Sequence, residues 1–261
     1  MVTFLLSAVI ALSARHVRGA ESVALFNGKD LSGWHVYTVQ TKNENPGIFT
    51  AVDGMLKISG GAGDVAYLGG IITEGEYENY RLKLEYKWGG PTYGARQDAA
   101  RDSGILVHCV GPEGPGPWRT SIECQIIEGG TGDIILIGGN GDDGKPVPMA
   151  ATIEAVKREG QYYFHPGGPK VTANSGRLNW YGRDLAWKDV KDFRGKEDVE
   201  SPFGEWTCVE CICKNHELTN IVNGKVVNHV TGLPLNKGKI LIQTEGAEMW
   251  VRNIELTPLD P

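Results

Sequence analysis

The chain has 261 residues, 36 of them glycine, and a formal net charge of −6 at pH 7. This length suffices for one large β domain with a substantial core. The mild acidity and the lack of clustered basic residues argue against a nucleic-acid-binding protein.

The N-terminus has the pattern of a secretory signal peptide. Phe4–Leu12 is a short apolar run, too short to span a bilayer, and small and basic residues follow it as far as Ala20. We therefore predict a signal peptide over residues 1–20 and a single domain over residues 21–261. Export to the periplasm or the extracellular space follows from this interpretation, and an incorrectly assigned start is the alternative. No later segment is apolar enough to span a membrane.

Strand-like segments follow one another along the first part of the chain. They cover residues 22–26, 48–52, 55–59, 67–73 and 80–88. Asp53-Gly54 stands between two of these segments and predicts a tight hairpin turn. The last segment alternates apolar with charged residues, as expected of a strand with one buried face.

Two central runs, residues 102–109 and 121–128, alternate in the same way. The alternation assigns one face to Ile105, Val107 and Cys109 with Ile122, Cys124 and Ile126, and the other to Asp102, Gly104, Leu106 and His108 with Glu123 and Gln125. The Gly/Pro-rich loop between the runs favours an antiparallel pair. Such a pair would gather an imidazole, a carboxylate and a carboxamide on one face.

Residues 129–204 are rich in Gly, Pro and Asp and contain only short strand-like pieces, at residues 133–137 and 161–164. Residues 153–159 also allow a short helix. Long irregular segments in a compact domain are usually functional loops or disordered, and the many aromatic residues here argue against disorder.

The last third returns to strands, at residues 206–214, 217–222, 225–230, 240–246 and 249–256. Asn223-Gly224 predicts a second tight hairpin. The whole pattern predicts an all-β fold, a two-sheet β-sandwich with long irregular loops, whose last strands pair near the beginning of the chain. The five cysteines cannot all pair within the chain, and buried thiols are the favoured interpretation.

Several runs, in this order, resemble the bacterial 3-keto-disaccharide hydrolase domain family. They are Leu25–Trp34, Asp102–Ile105, Glu123–Ile126, Val222–Lys225, Ile242–Glu248 and Val251–Ile254. The similarity extends from about Val23 to Leu259. It implies a concanavalin A-like jelly roll with a carbohydrate site on one sheet face, export, and processing of 3-keto-glycosides.

The chemistry of such substrates defines what a site must contain. A ketone at C3 acidifies the C2 proton, so a base can remove this proton and expel the C1 substituent by β-elimination, and water then adds to the enone. A carboxylate or imidazole base is needed, together with a positive or hydrogen-donating group at the enolate oxygen. One divalent metal ion is a candidate for the second role, and no organic cofactor is expected.

We predict that His108 and Glu123 supply the base and a metal ligand, in an order that the sequence leaves open. Further predicted contacts to sugar or metal come from Gln125, Gln243 and Glu245, with Glu128 and Glu85 in reserve. The predicted metal ligands are His108, Glu123 and Glu245. Trp118 and Trp180 are predicted to stack on sugar rings, although aromatic residues in loops can equally hold those loops in place.

This sequence also departs from the commoner family pattern. Thr244-Glu245-Gly246 stands where many members have Asp-His-Gly, and His108 stands where many have Arg. A glycosidic-bond hydrolase or lyase acting on 3-keto-glycosides is the favoured function, and a non-catalytic carbohydrate-binding module is the alternative. The expected partner is an oligosaccharide or a 3-keto-glycoside, whereas the oligomeric state is left open.

Overall fold

In the computed structural model, which describes residues 21–260, the chain consists of β-strands joined by turns and loops. The one helical element among these residues is a single 3₁₀ turn, Gly94–Arg96. No helix in this part of the chain is long and apolar enough to cross a membrane. The predicted signal peptide, residues 1–20, lies outside the described residues.

The strands range from two-residue pieces to one of 13 residues. In chain order they are β1 Val23–Ala24, β2 Trp34–Thr38, β3 Phe49–Val52, β4 Met55–Ile58, β5 Gly61–Ala62, β6 Val65–Ala66, β7 Leu68–Thr73, β8 Tyr77–Glu78, β9 Tyr80–Thr92, β10 Asp102–Val110, β11 Thr120–Ile127, β12 Ile134–Ile137, β13 Ala151–Arg158, β14 Gln161–Phe164, β15 Lys170–Ala173, β16 Gly176–Leu178, β17 Thr207–Lys214, β18 Glu217–Val222, β19 Lys225–Thr231, β20 Lys237–Glu245 and β21 Ala247–Pro258. The pairings between these strands are antiparallel.

Two large sheets form the sandwich, and we call them sheet I and sheet II. Sheet I has the order β14-β13-β19-β18-β17-β9-β21-β4-β3, with β1 beside β21 and β15 beside β13. Sheet II has the order β16-β12-β11-β10-β20-β7-β2, with β8 beside β20. Strands β5 and β6 form a separate small ribbon. The two sheets make this chain a two-sheet jelly roll with long irregular loops, as predicted.

The hydrophobic core lies between the two sheets. Sheet I contributes alternate residues of its long strands, and sheet II does the same; they include Leu82, Leu84, Tyr86, Val209, Cys211 and Val251 from sheet I, and Ile71, Ile105, Val107, Ile122, Cys124, Ile126, Ile240 and Ile242 from sheet II. Each such side chain, once fully buried, stabilises the fold by about 1.5–3 kcal/mol before its entropy cost. Period-2 alternation therefore leaves the opposite face of sheet II free for other residues.

Most of the predicted elements are confirmed. Val52 pairs with Met55 and Val222 with Lys225, so tight turns stand at both predicted hairpins. Strand β21 pairs with β1 and β4, which returns the end of the chain to its beginning. The optional helix at residues 153–159 is wrong, because alternate residues of β13 are buried and the segment pairs with three other strands.

Candidate functional site

The site is built on the face of sheet II that points away from sheet I, which we call the outer face. In the antiparallel pair β10–β11 the opposed residues on this face are Asp102 with Ile127, Gly104 with Gln125 and Leu106 with Glu123. Directly opposed residues of an antiparallel pair project to the same side. The predicted placement of Glu123 and Gln125 on one face, opposite the core, is therefore confirmed.

Strand β20 adds two more polar side chains to the outer face. Leu106 lies opposite Leu241, and the same register continues to place Gln243 beside Gly104 and Glu245 beside Asp102. The Ser103 hydroxyl donates to the backbone carbonyl of Gln243 at 3.1 Å, which holds the two strands together here. Gln243 and Glu245 therefore share the face of Glu123, which the sequence did not predict because alternation within one strand does not relate it to another strand.

Gly104 leaves a niche between two functional side chains. A Cβ atom at this position would lie 2.3 Å from Oε1 of Glu123 and 2.8 Å from Oε1 of Gln243. Gln243 is almost completely buried, yet neither its amide nitrogen nor its amide oxygen has a hydrogen-bond partner in residues 21–260. Buried polar groups normally have partners, so an unpaired carboxamide beside a niche is the mark of a ligand-binding position.

Three carboxylates, Asp102, Glu123 and Glu245, make up what we call the carboxylate cluster. Arg96, from the 3₁₀ turn, donates to Asp102, to Glu245 at 3.0 Å and to Asp189 at 3.0 Å. Gly246 permits this approach, because its φ is 81° and a Cβ atom there would lie 3.1 Å from the Arg96 side chain. Arg96 thus pairs with two members of the cluster, but it forms no ion pair with Glu123.

A second arginine stands in the same row of the sheet as Glu123. Glu123 lies opposite Ile135, and Ile135 lies opposite Arg177. Arg177 donates to Asp133 at 2.7 Å, and Arg183 donates to the same carboxylate oxygen. Because the fully buried Asp133 holds Arg177, this guanidinium contributes positive charge near Glu123 without bonding to it.

The environment raises the pKa of two members of the carboxylate cluster. Burial raises the pKa of Glu123 well above its usual range, and the negative charges of Asp102 and Glu245 raise it further, against the opposing effects of the Arg177 charge and the Gln243 amide. Burial also raises the pKa of Asp102, with a further contribution from Glu245 and opposition from Arg96. Glu123 and Asp102 therefore hold protons at pH values at which exposed carboxyls are ionised, and such perturbed groups concentrate at functional sites.

A bulge in β10 changes the predicted alternation after Val107. The register between β10 and β11 shifts between Val107 and Val110, and His108 has a φ of 53°. A bulge inserts one extra residue, so the residues beyond it exchange faces. Cys109, predicted to face the core, lies instead in the apolar patch of the outer face, while His108 points inward.

His108 is therefore not part of the site. Its ring packs edge-on against Tyr80 in the core, with centroids 5.6 Å apart, and Nδ1 lies 3.2 Å from the carbonyl oxygen of Leu235. Burial lowers the pKa of His108 to about 4, which keeps the imidazole neutral. The prediction that His108 shares a face with Glu123 is wrong, because sequence alternation does not reveal a one-residue bulge.

The predicted metal ligands do not come together. His108 lies on the core side of sheet II, and Glu245 accepts a hydrogen bond from Arg96. In residues 21–260 no group of three His, Cys, Asp or Glu side chains is arranged to hold a metal ion. The ligand set of His108, Glu123 and Glu245 thus does not fit a metal, and none of the steps proposed below depends on one.

The two predicted stacking tryptophans have different positions. Trp180 is 1% exposed and belongs to the core, so it cannot stack on a sugar, and that prediction is wrong. Trp118 is partly exposed and lines a cavity of about 340 Å³ at the start of β11, and it also packs on the apolar cluster that contains Leu106 and Cys109.

The reserve carboxylates are also engaged elsewhere. Glu128 is paired with Arg101 at 2.5 Å, and Glu85 is paired with Arg252 at 2.8 Å. Sequence reasoning missed Arg96 and Arg177, which come from a loop and from the irregular middle region. No periodic pattern marks them, and only the chain path brings them to the carboxylate cluster.

Comparison with known proteins agrees with this architecture. A sequence model described as a 3-keto-alpha-glucoside-1,2-lyase-like domain matches residues 21–257. No curated protein matches the chain. A candidate glycosyl hydrolase from Parabacteroides distasonis ATCC 8503 is 18% identical, with a TM-score of 0.54 over 92% of this chain and 94% of the other. A second from the same organism is 20% identical, with a TM-score of 0.50 over 92% of this chain and 100% of the other. Likeness at this identity shows a shared fold.

Proposed function

Since this chain belongs to the family of 3-keto-alpha-glucoside-1,2-lyase-like domains, we propose that it cleaves the glycosidic bond of 3-keto-glycosides on the outer face of sheet II. A carbohydrate-active role follows from the family, and the choice of a 3-keto substrate is the proposal. The N-terminal pattern adds that the enzyme acts after export.

The proposed reaction proceeds through elimination and hydration. A base takes the C2 proton, the electron pair forms the enolate and then the C1–C2 double bond, and the C1–O bond breaks with protonation of the leaving oxygen. Water then adds at C1 and a proton returns to C2. The net change is hydrolysis of one glycosidic bond, with no oxidant or reductant consumed.

Glu123 is the proposed base, and its lack of a cationic partner is the observation that carries this assignment. Asp102 is bound by Arg96, and Arg177 is bound by Asp133. Glu123 therefore retains its basicity, and its raised pKa brings it towards the range in which a carboxylate accepts a proton from carbon most effectively.

Gln243 and Arg177 are the proposed stabilisers of the enolate. The Gln243 carboxamide borders the Gly104 niche beside Glu123, and its amide nitrogen, which has no partner, is the proposed donor to the C3 oxygen. Arg177 adds positive charge in the same row of the sheet. Donors that are already in place when negative charge develops typically contribute about 10²–10³-fold to a rate.

Asp102 has a supporting role. It accepts hydrogen bonds from the Gln125 amide and from Arg96, so it fixes both groups around the niche. Its raised pKa also makes it a source of the proton that the leaving oxygen takes. Arg96 is a positioning residue, because it holds Asp102 and Glu245 in place.

The test uses methyl 3-keto-α-glucoside and its unoxidised counterpart in D₂O. We expect release of methanol from the keto substrate alone, with deuterium at C2 of the product. Glu123→Gln should lower the rate by about 10²–10⁴-fold, as expected for loss of a general base. Glu217→Gln, which changes an exposed residue at the start of β18, is the matched control and should keep the wild-type rate.

Two results would overturn the proposal. Cleavage without deuterium at C2, measured against product incubated alone in D₂O, would indicate direct hydrolysis at C1. No consumption of either substrate, together with glycan binding that survives Glu123→Gln, would instead indicate a carbohydrate-binding module.

A further inference from the structure

A polar cavity lies beside Arg177, the arginine that stands in one row of the sheet with Glu123. It has a volume of about 280 Å³ and is lined in part by Glu159, Gln161, Arg177, Arg183 and Asp184. The lining comes from the β13–β14 turn and β14, from β16 and from the loop after residue 180, so it lies at the β16 edge of sheet II.

Arg177 belongs to both the cavity and the site. It lines the cavity and also stands in one row with Ile135 and Glu123 on the outer face. Two strand spacings separate β16 from β11, which is about 10 Å. A molecule that extends from Glu123 across Ile135 would therefore reach the cavity with its next ring.

The charges of the cavity favour a neutral ligand. Two guanidinium groups, from Arg177 and Arg183, face two carboxylates, from Glu159 and Asp184. Both arginines also form ion pairs with the buried Asp133, whose negative charge offsets part of their positive charge. A hydroxyl-rich molecule can donate to the carboxylates and accept from the guanidinium groups, whereas an anion would meet carboxylates without a free cation.

The cavity beside Trp118 is the competing location for a second sugar ring. It has about 340 Å³, and its lining includes Trp118, Thr120 and Asn140. None of these lining residues is charged. No member of the carboxylate cluster lines either cavity, but only the Arg177 cavity is lined by a residue, Arg177, that stands in one row of the sheet with Glu123.

We propose that the Arg177 cavity binds the sugar unit that leaves from C1, and that this unit is a neutral hexose. This inference rests on the proposed function, because it places the reacting ring at Glu123. The substrate is then at least a disaccharide, with the keto ring over the niche and the leaving ring beside Arg177 and Gln161.

The test compares two exposed amides, one in each cavity. Gln161→Ala removes an amide from the Arg177 cavity, and Asn140→Ala removes one from the Trp118 cavity. We expect Gln161→Ala to lower kcat/KM about tenfold for a 3-keto-disaccharide with a neutral second hexose, the effect of one lost hydrogen bond. Both variants should keep the wild-type kcat/KM for methyl 3-keto-α-glucoside, which has no second ring.

A substrate with a uronate as its second unit tests the charge argument. The wild type should prefer the neutral disaccharide by about tenfold. Glu159→Gln removes one carboxylate from the cavity, so it should narrow this preference, whereas the same change at the exposed Glu217 should not. A wild-type preference for the uronate would overturn the assignment of a neutral ring.

Selective loss of disaccharide turnover in Asn140→Ala, or no loss in Gln161→Ala, would also overturn the proposal. Calorimetric binding of the unoxidised disaccharide separates it from the proposed function. If neither keto substrate reacts but Gln161→Ala still weakens binding of the disaccharide, the proposed reaction fails and the cavity assignment stands.

Discussion

The outer face of sheet II has two halves with opposite character. One half is an apolar patch made of Tyr37, Ile72, Leu106, Cys109 and Leu241, against which Trp118 and Ile137 pack. The other half carries the carboxylate cluster with Gln125 and Gln243. The boundary is stepped, because Leu106 has Leu241 on one side and Glu123 on the other, while Gly104, two residues away, is beside Gln243.

The apolar half of this face contributes to stability, and the polar half contributes to function. The apolar half gains stability from burial in the ordinary way. The polar half buries carboxyls that resist ionisation and a carboxamide without a partner, both of which cost stability. Because the polar half lowers the free energy of unfolding while the adjacent apolar half raises it, we infer that the polar half is retained for its chemistry.

Removing a side chain from the apolar half should produce the largest change in stability. Ile72 is fully buried there, and Ile72→Ala should lower the free energy of unfolding by about 2–5 kcal/mol. Denaturant unfolding measures this loss, and Val226→Ala, at a side chain 48% exposed, should cost less than about 0.5 kcal/mol. Turnover of methyl 3-keto-α-glucoside per folded molecule should stay within a few-fold of the wild type. A large loss of turnover in Ile72→Ala would show that the two halves are not separable.

Filling the niche at Gly104 should instead lower the activity. In Gly104→Ala the new methyl group would collide with Glu123 and Gln243, so we expect kcat/KM to fall at least about tenfold. Gly90→Ala makes the same change in β9, where no atom lies within 4 Å of the added Cβ, and should retain activity. Equal activities for the two variants would remove the niche from the site.

The smallest expected effect is a pH dependence of stability. Because burial raises the folded-state pKa of Glu123 and Asp102 above the unfolded values, the folded protein binds more protons than the unfolded chain as pH rises past about 4. The free energy of unfolding should therefore fall as pH rises towards the folded pKa values. Activity should rise over the same range, since Glu123 must be ionised to act as the base.

Urea unfolding between about pH 6.5 and 8.5 isolates this effect from His108, whose pKa is lowered to about 4 in the folded state. In Glu123→Gln the free energy of unfolding should fall less steeply as the pH rises. Glu200, whose pKa burial raises to about 8, remains in the variant and keeps part of the slope. If the free energy of unfolding of Glu123→Gln falls with pH as steeply as that of the wild type and of Glu217→Gln, the pKa of Glu123 is not raised in the folded protein and the prediction is wrong.

The sequence predicted the polar half better than its surroundings. Alternation placed Glu123 with Gln125 on one face of β11 and Gln243 with Glu245 on one face of β20, and the register of the strands shows that the two pairs share the outer face. The family resemblance is likewise confirmed over residues 21–257. The stacking role of Trp180 was wrong, because an aromatic residue in an irregular segment looks the same whether it lies on the surface or in the core.

What the sequence determined by itself is most of the strands outside the irregular middle region, the two hairpin turns and the faces of β11 and β20. Each of these follows from local backbone geometry, which gives a strand a period of two and a turn its glycine. Only the tertiary structure decided the position of His108, since the bulge depends on how β10 packs against its neighbours. The tertiary structure also brought Arg96 and Arg177 to the carboxylate cluster, because ion pairs between residues far apart in the chain depend on the path of the loops.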